Sequence, residues 1–157
     1  MKLRYLAAVS ISICAAGAMA VELNTDAMKK MQQEGHKILE EEKGQRAFKL
    51  PNGNCLQAAG GNVASAKCND KAANQKWRLD DAGRLVSHDG KKCVSLAGDG
   101  KKPGSNALLQ QCSGDAKQKW KLDGAKRLSN QKGLCLQANG NNVVAAKCSK
   151  AATQKWG

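Results

Sequence analysis

The chain has 157 residues, with 26 Lys and Arg against 13 Asp and Glu, for a formal charge of +13 at pH 7. That length supports one modest core rather than several domains. Only three Trp, one Tyr and one Phe are available to build it. Two isolated histidines, His36 and His88, and cysteines spaced by thirteen residues or more exclude the short paired spacings of a structural zinc site.

In chain order, Lys2 and Arg4 precede a mainly apolar run from Leu6 to Ala16, followed by Ala18-Met19-Ala20. This is the pattern of a secretory signal peptide cut after Ala20, which gives a segment 1–20 and a secreted or periplasmic location. The run is too short to span a bilayer, and no later stretch is apolar enough to do so. Cys14 is disfavoured as a lipid-attachment site because Ile13 precedes it where small residues are needed. A second segment, 21–44, carries Ala27, Met28, Met31, Ile38 and Leu39 at helical spacing between Thr25 and Glu42. Gly35 interrupts this pattern at a cost of about 1 kcal/mol. Glu40, Glu41 and Glu42 put negative charge at the end where the helix dipole disfavours it. A frayed helix or tether is expected, with a partner-binding helix as the alternative.

From Gln45 the helical periodicity stops. Short apolar alternations are bounded by Asn52-Gly53, Asp89-Gly90, Asp99-Gly100 and Asp123-Gly124, which are strand and turn signals. Three times a cysteine with an aliphatic neighbour (Cys55-Leu56, Cys93-Val94, Cys135-Leu136) leads to a second cysteine (Cys68, Cys112, Cys148). Each then leads to Gln-Lys-Trp, ending at Trp77, Trp120 and Trp156. The tryptophans are 43 and 36 residues apart, a period at which each cassette buries its apolar face only against its neighbours. With Cys14 removed, six cysteines in an oxidising compartment imply three disulfides. Of the fifteen pairings, those treating the cassettes alike are reasonable, and Cys55–Cys68, Cys93–Cys112 and Cys135–Cys148 close the shortest loops. Each such loop stabilises by roughly 3 kcal/mol on the chain-entropy account.

The tandem Cys-Leu or Cys-Val, Gly-rich turn, second cysteine and Gln-x-Trp resemble the ricin-type β-trefoil lectin domain over residues 45–157. The resemblance implies an all-β trefoil of pseudo-three-fold symmetry, with three within-repeat disulfides, preceded by a short helical segment. It places Trp77, Trp120 and Trp156 in the core, where so few aromatics must serve. In the family's galactose sites, an aspartate two residues after the first cysteine and an asparagine before Gln-x-Trp bind sugar hydroxyls. A ring two residues before the second cysteine stacks on the sugar. Here those aspartate positions hold Gln57, Ser95 and Gln137, the asparagine positions Asn74, Lys117 and Thr153, and the ring positions Ala66, Gln110 and Ala146. Without a ring, neutral pyranose binding in the family's usual mode should be weak.

Charge is the remaining signal. Residues 45–157 hold 20 Lys and Arg against 7 acids, so this domain carries the whole positive balance, clustered at Lys91-Lys92, Lys101-Lys102, Lys117, Lys119 and Lys121. Such charge either solvates the surface or faces an anionic partner. No glycine-rich phosphate loop, nucleophile beside a histidine or paired carboxylates suggest an enzyme, and no cofactor or metal is implied. The expected function is a secreted, lectin-like module with degenerate sugar pockets that favours an anionic glycan, such as an acidic polysaccharide or lipopolysaccharide. The alternative is a trefoil without sugar binding that serves as a protein-interaction subunit of a secreted complex or toxin. Nucleic acid ranks last, because no surface rings are left for base stacking. Candidate ligand residues are Gln57, Asn74 and Gln75 in the first cassette, whose amides suit a neutral sugar. In the second they are Ser95, Asp99, Gln110, Lys117 and Gln118, where Lys117 suits an anion.

Overall fold

The computed structural model describes residues 25–157, and the side chains of all of these except 36–43. The expected signal peptide, with Cys14, lies outside the described residues. Helix α1 runs over Thr25–Lys43 and is continuous through Gly35. Its Ala, Met, Gln, Glu and Lys residues are good helix formers, and at 19 residues it exceeds the length at which isolated helices are marginal. Residues 25–34 are exposed, including Met28 and Met31.

Beyond α1 the chain is built of β-strands, with a single 3-10 turn before each Lys-Trp pair (Ala73–Gln75, Ala116–Gln118 and Ala152–Gln154). The ten strands are β1 (Asn54–Ala59), β2 (Asn62–Lys67), β3 (Trp77–Leu79), β4 (Leu85–Ser87), β5 (Lys92–Leu96), β6 (Ala107–Gln111), β7 (Trp120–Leu122), β8 (Leu128–Asn130), β9 (Leu134–Asn139) and β10 (Asn142–Lys147). Each cassette folds its two-cysteine segment into a hairpin, β1–β2, β5–β6 or β9–β10, all antiparallel. In the first and third hairpins the turns use glycine with positive φ, Gly60 at 61° and Gly140 at 60°, a conformation that costs glycine nothing. The hairpins then form a ring in which each hands one hydrogen bond to the next. Leu109 N donates to Gly61 O at 2.8 Å, Ala145 N to Ser105 O at 2.8 Å, and Ser65 N to Asn141 O at 2.9 Å. This cyclic order is the pseudo-three-fold symmetry expressed in backbone bonds. The shorter pairs β3–β4 and β7–β8 link one cassette to the next.

The Gln-Lys-Trp motif closes each unit. Trp77, Trp120 and Trp156 are 0, 3 and 0% exposed. Burying a Trp requires a partner for its indole N–H, and each finds the carbonyl that follows the first cysteine of its own cassette. The bonds run to Leu56 O at 2.8 Å, Val94 O at 2.9 Å and Leu136 O at 2.8 Å. The motif's glutamine straddles the second cysteine. Its Oε1 accepts from the next residue's N–H (Asn69, Ser113, Ser149, each at 2.8 Å), and its Nε2 donates to the preceding carbonyl (Lys67, Gln111, Lys147, each at 2.9 Å). Disulfides Cys55–Cys68, Cys93–Cys112 and Cys135–Cys148 fasten the same hairpins. Phe48, Leu56, Leu85, Leu96, Leu128 and Leu136 complete the core around the three indoles.

Candidate functional site

The glutamine brace decides which pocket residues are available to a ligand. Gln75 and Gln118, both expected to face ligand, are each 2% exposed. Their amides are committed to the backbone on either side of Cys68 and Cys112. They are structural braces, and Gln154 is their equal in the third cassette. Sequence reasoning identifies a polar residue at this position but not the direction in which it points.

The position two residues after the first cysteine shows a further difference between cassettes. In the first, Gln57 is half-buried, and its Oε1 accepts from Gln75 Nε2 at 2.9 Å. In the third, Gln137 receives Gln154 Nε2 at 2.8 Å in the same way. These long amides stand at the positions where the resemblance expects an aspartate, and each is bonded to its cassette's motif glutamine. The second cassette has Ser95 there. Its side chain is too short to reach Gln118, it is fully buried, and its Oγ has no hydrogen-bond partner. Ser95 therefore lies beneath the surface, contrary to its expected role as a ligand contact.

The second cassette's loop between Leu96 and Ala107 packs against Lys117. Gly100 is buried with φ 67°, and a Cβ on it would lie 2.9 Å from Lys117 Cβ and 3.5 Å from Leu96 Cβ. Only glycine brings the backbone this close. Asp99 is exposed and shapes the loop, with Oδ1 accepting from Lys101 N at 3.1 Å. At the loop's far end, Gly104 N donates to Ala145 O at 2.7 Å. The loop is thus held against Lys117 at one end and against the third cassette at the other. Lys117 is half-buried, and its Nζ lies 3.8 Å from an Asp115 carboxylate oxygen that is itself half exposed. A pair this open contributes little, so the ammonium is available to another anion. Gln110 is exposed on β6. In the first cassette, Asn74 is exposed and donates from Nδ2 to Ala58 O at 3.1 Å.

Two stretches, residues 28–112 and 46–156, match the model of the ricin-type beta-trefoil lectin domain. This chain belongs to that family. A search of curated proteins found no match. Among solved structures, the trefoil resembles the agglutinin from Abrus precatorius, with TM-score 0.67 and 16% identity over 72% of this chain and 45% of that one. It also resembles a non-toxic homologue of type II RIPs from Momordica charantia in complex with α-methyl-D-galactoside, with TM-score 0.65 and 20% identity over 72% and 46%. A third is GalNAc-T7 with UDP, GalNAc and Mn2+, with TM-score 0.60 and 22% identity over 71% and 21%. At these identities the likeness concerns the fold, and this chain spans less than half the length of each.

This trefoil keeps the Gln-x-Trp scaffold in all three cassettes. Ala66, Gln110 and Ala146 stand at the ring positions. Among the described residues no cluster of His, Cys, Asp or Glu gathers to hold a metal, and no helix is long and apolar enough to cross a membrane.

Proposed function

We propose that this trefoil is an exported carbohydrate-binding module whose target is an acidic glycan. The observation that carries the reading is the charge of residues 45–157, 20 bases against 7 acids, combined with the exposed or half-exposed row Lys117, Lys119 and Lys121. Without rings, the cassettes have little to offer the apolar face of a neutral sugar, whereas ammonium groups attract carboxylate, sulfate or phosphate substituents at any face. Segments 1–20, 21–44 and 45–157 then serve as export signal, tether and binding domain.

The test compares Lys117→Glu with Asn74→Ala in binding to acidic polysaccharides at two salt concentrations. Lys117→Glu weakens binding more, and the difference shrinks as salt screens exposed charges. Equal, salt-independent losses would show that neither pocket takes part. The absence of glycan binding by the unaltered protein at both salts would favour a protein-interaction subunit instead.

A further inference from the structure

The pseudo-symmetry lets one junction between cassettes be compared with another. Val86 pairs with Cys93 and Ser129 with Cys135, while Trp77 pairs with Ser87 and Trp120 with Asn130. Val86 and Ser129 are therefore equivalent, as are Ser87 and Asn130, and His88 and Gln131. On the opposing wall, Trp77 N donates to Arg46 O, Trp120 N to Gly83 O and Trp156 N to Lys126 O. This makes Gln45 and Ala82 equivalent.

The equivalent positions are filled differently. Between the first and second cassettes, Gln45 reaches across the junction and donates from Nε2 to His88 O at 3.0 Å. The Arg78 stem lies against Gly44, where an added Cβ would be 3.2 Å from Arg78 Cδ. At the third equivalent position, the Lys126 stem lies across Gly157. Between the second and third cassettes, Ala82 stands where Gln45 does, and a methyl group cannot cross to Gln131. A cleft of about 380 Å³ remains open there, lined by Asp81, Gly83, Lys119, Lys121, Ser129 and Gln131 among others. Its chemistry differs as well, because hydroxyl-bearing Ser129 replaces Val86. Lys119 and Lys121, either side of buried Trp120, have no ion-pair partner among the described residues.

We propose that this cleft binds an anionic pyranose unit, with Lys119 and Lys121 facing its carboxylate or sulfate and with Asp81, Ser129 and Gln131 meeting its hydroxyls. The inference rests on the acidic-glycan reading above and gives that reading a seat outside the family's cassette pockets. The volume lies within the range of small-molecule sites, and mixed donors and acceptors beside two free ammonium groups suit a charged, hydroxyl-rich ring. Asn130, whose Nδ2 donates to Gly100 O at 3.5 Å, joins the cleft to the loop that packs beside Lys117. Lys117 therefore lies next to the cleft through this loop, while Lys119 and Lys121 line it.

The test titrates the isotope-labelled full chain with a galacturonic acid trisaccharide, a sulfated heparin tetrasaccharide and the carboxyl-reduced trisaccharide. The amides of Gly83, Lys121, Ser129 and Gln131 should shift saturably with one or both acidic probes, the responsive probe telling carboxylate from sulfate, and not with the neutral one. Ala82→Gln, which installs the strut found at Gln45 without changing charge, should weaken that binding about tenfold or more, as should Lys121→Glu. Retained melting temperature in Ala82→Gln would show that the loss is local. Shifts confined to Asp99 and Lys117, or undiminished affinity in both variants, would overturn the cleft while leaving the acidic-glycan reading intact. No response of the unaltered chain to either acidic probe would remove both.

Discussion

Ser65 and Ala145 occupy the same place in the hairpin ring, each donating its backbone N–H to a neighbouring cassette. Ser65 is 1% exposed and its Oγ has no partner. A buried hydroxyl without a hydrogen bond costs more than the methyl group that the third cassette uses there. Ser65→Ala should therefore stabilise the protein by about 1 kcal/mol, seen as a higher denaturation midpoint with unchanged slope. A lowered midpoint would mean that the hydroxyl is satisfied in solution. Asp123 and Asp89 give a second prediction. The Arg127 backbone N–H, at 2.9 Å, and then the Arg127 side chain hold the Asp123 carboxyl below its ordinary range against a desolvation penalty. The Ser87 hydroxyl, at 2.6 Å, does the same for Asp89, with the Lys91 N–H assisting. Because both pKa values are lower folded than unfolded, their stabilisation is present above the ordinary carboxylate value of about 4 and is lost as pH falls through the folded values. Asp123→Asn and Asp89→Asn should be less stable than the unaltered chain at neutral pH, and that gap should close in acid. A pH-independent gap would contradict the assignment. The sequence could not show these partnerships, since it reveals that Asp123 precedes a turn but not that its carboxylate caps one. Gln75, Gln118 and Ser95 are read as ligand contacts for the same reason: residue type fixes what an amide or hydroxyl can bond, while burial decides what it does bond.

At the level of elements, the hairpins were legible because turn glycines, cysteine spacing and β alternation agree at each one. The N-terminal segment was legible only in part. The Gly35 penalty and the unfavourable acidic end argue for fraying, whereas a continuous helix forms over Thr25–Lys43. Local helix formers over 19 residues outweigh one glycine. An added Cβ at Gly35 would meet nothing within 4 Å, so Gly35→Ala should add helix without a clash. The gain should be about 1 kcal/mol of helix stability, read as increased helical circular dichroism with the trefoil's melting unchanged. No change in helical signal would mean that α1 is held by contacts other than its own propensity. The approach of Gly100 to Lys117 was not legible, because it depends on a positive φ and on tertiary packing.

For the whole molecule, three near-identical cassettes made the trefoil and its disulfides readable, and the comparison with the lectin family concurs. What repetition concealed was the inequality of the junctions: Gln45 and Ala82 are aligned by structure, not by any shared motif. The proposed function rests on a positive domain in which Gln57 and Gln137 are bonded to the motif glutamines and Ala66, Gln110 and Ala146 stand where the resemblance expects rings. If charge drives recognition, affinity should depend on the glycan's acid groups rather than its ring stereochemistry, and should fall steeply with salt. The most direct measurement is calorimetric titration of the unaltered protein with polygalacturonate, with a sulfated glycosaminoglycan, and with carboxyl-reduced polygalacturonate, each at low and near-physiological ionic strength. We expect saturable binding to at least one acidic polymer, weakened by salt, and none to the neutral one. Equal binding to the acidic and carboxyl-reduced polymers, unaffected by salt, would contradict an anionic target and return recognition to the cassette pockets.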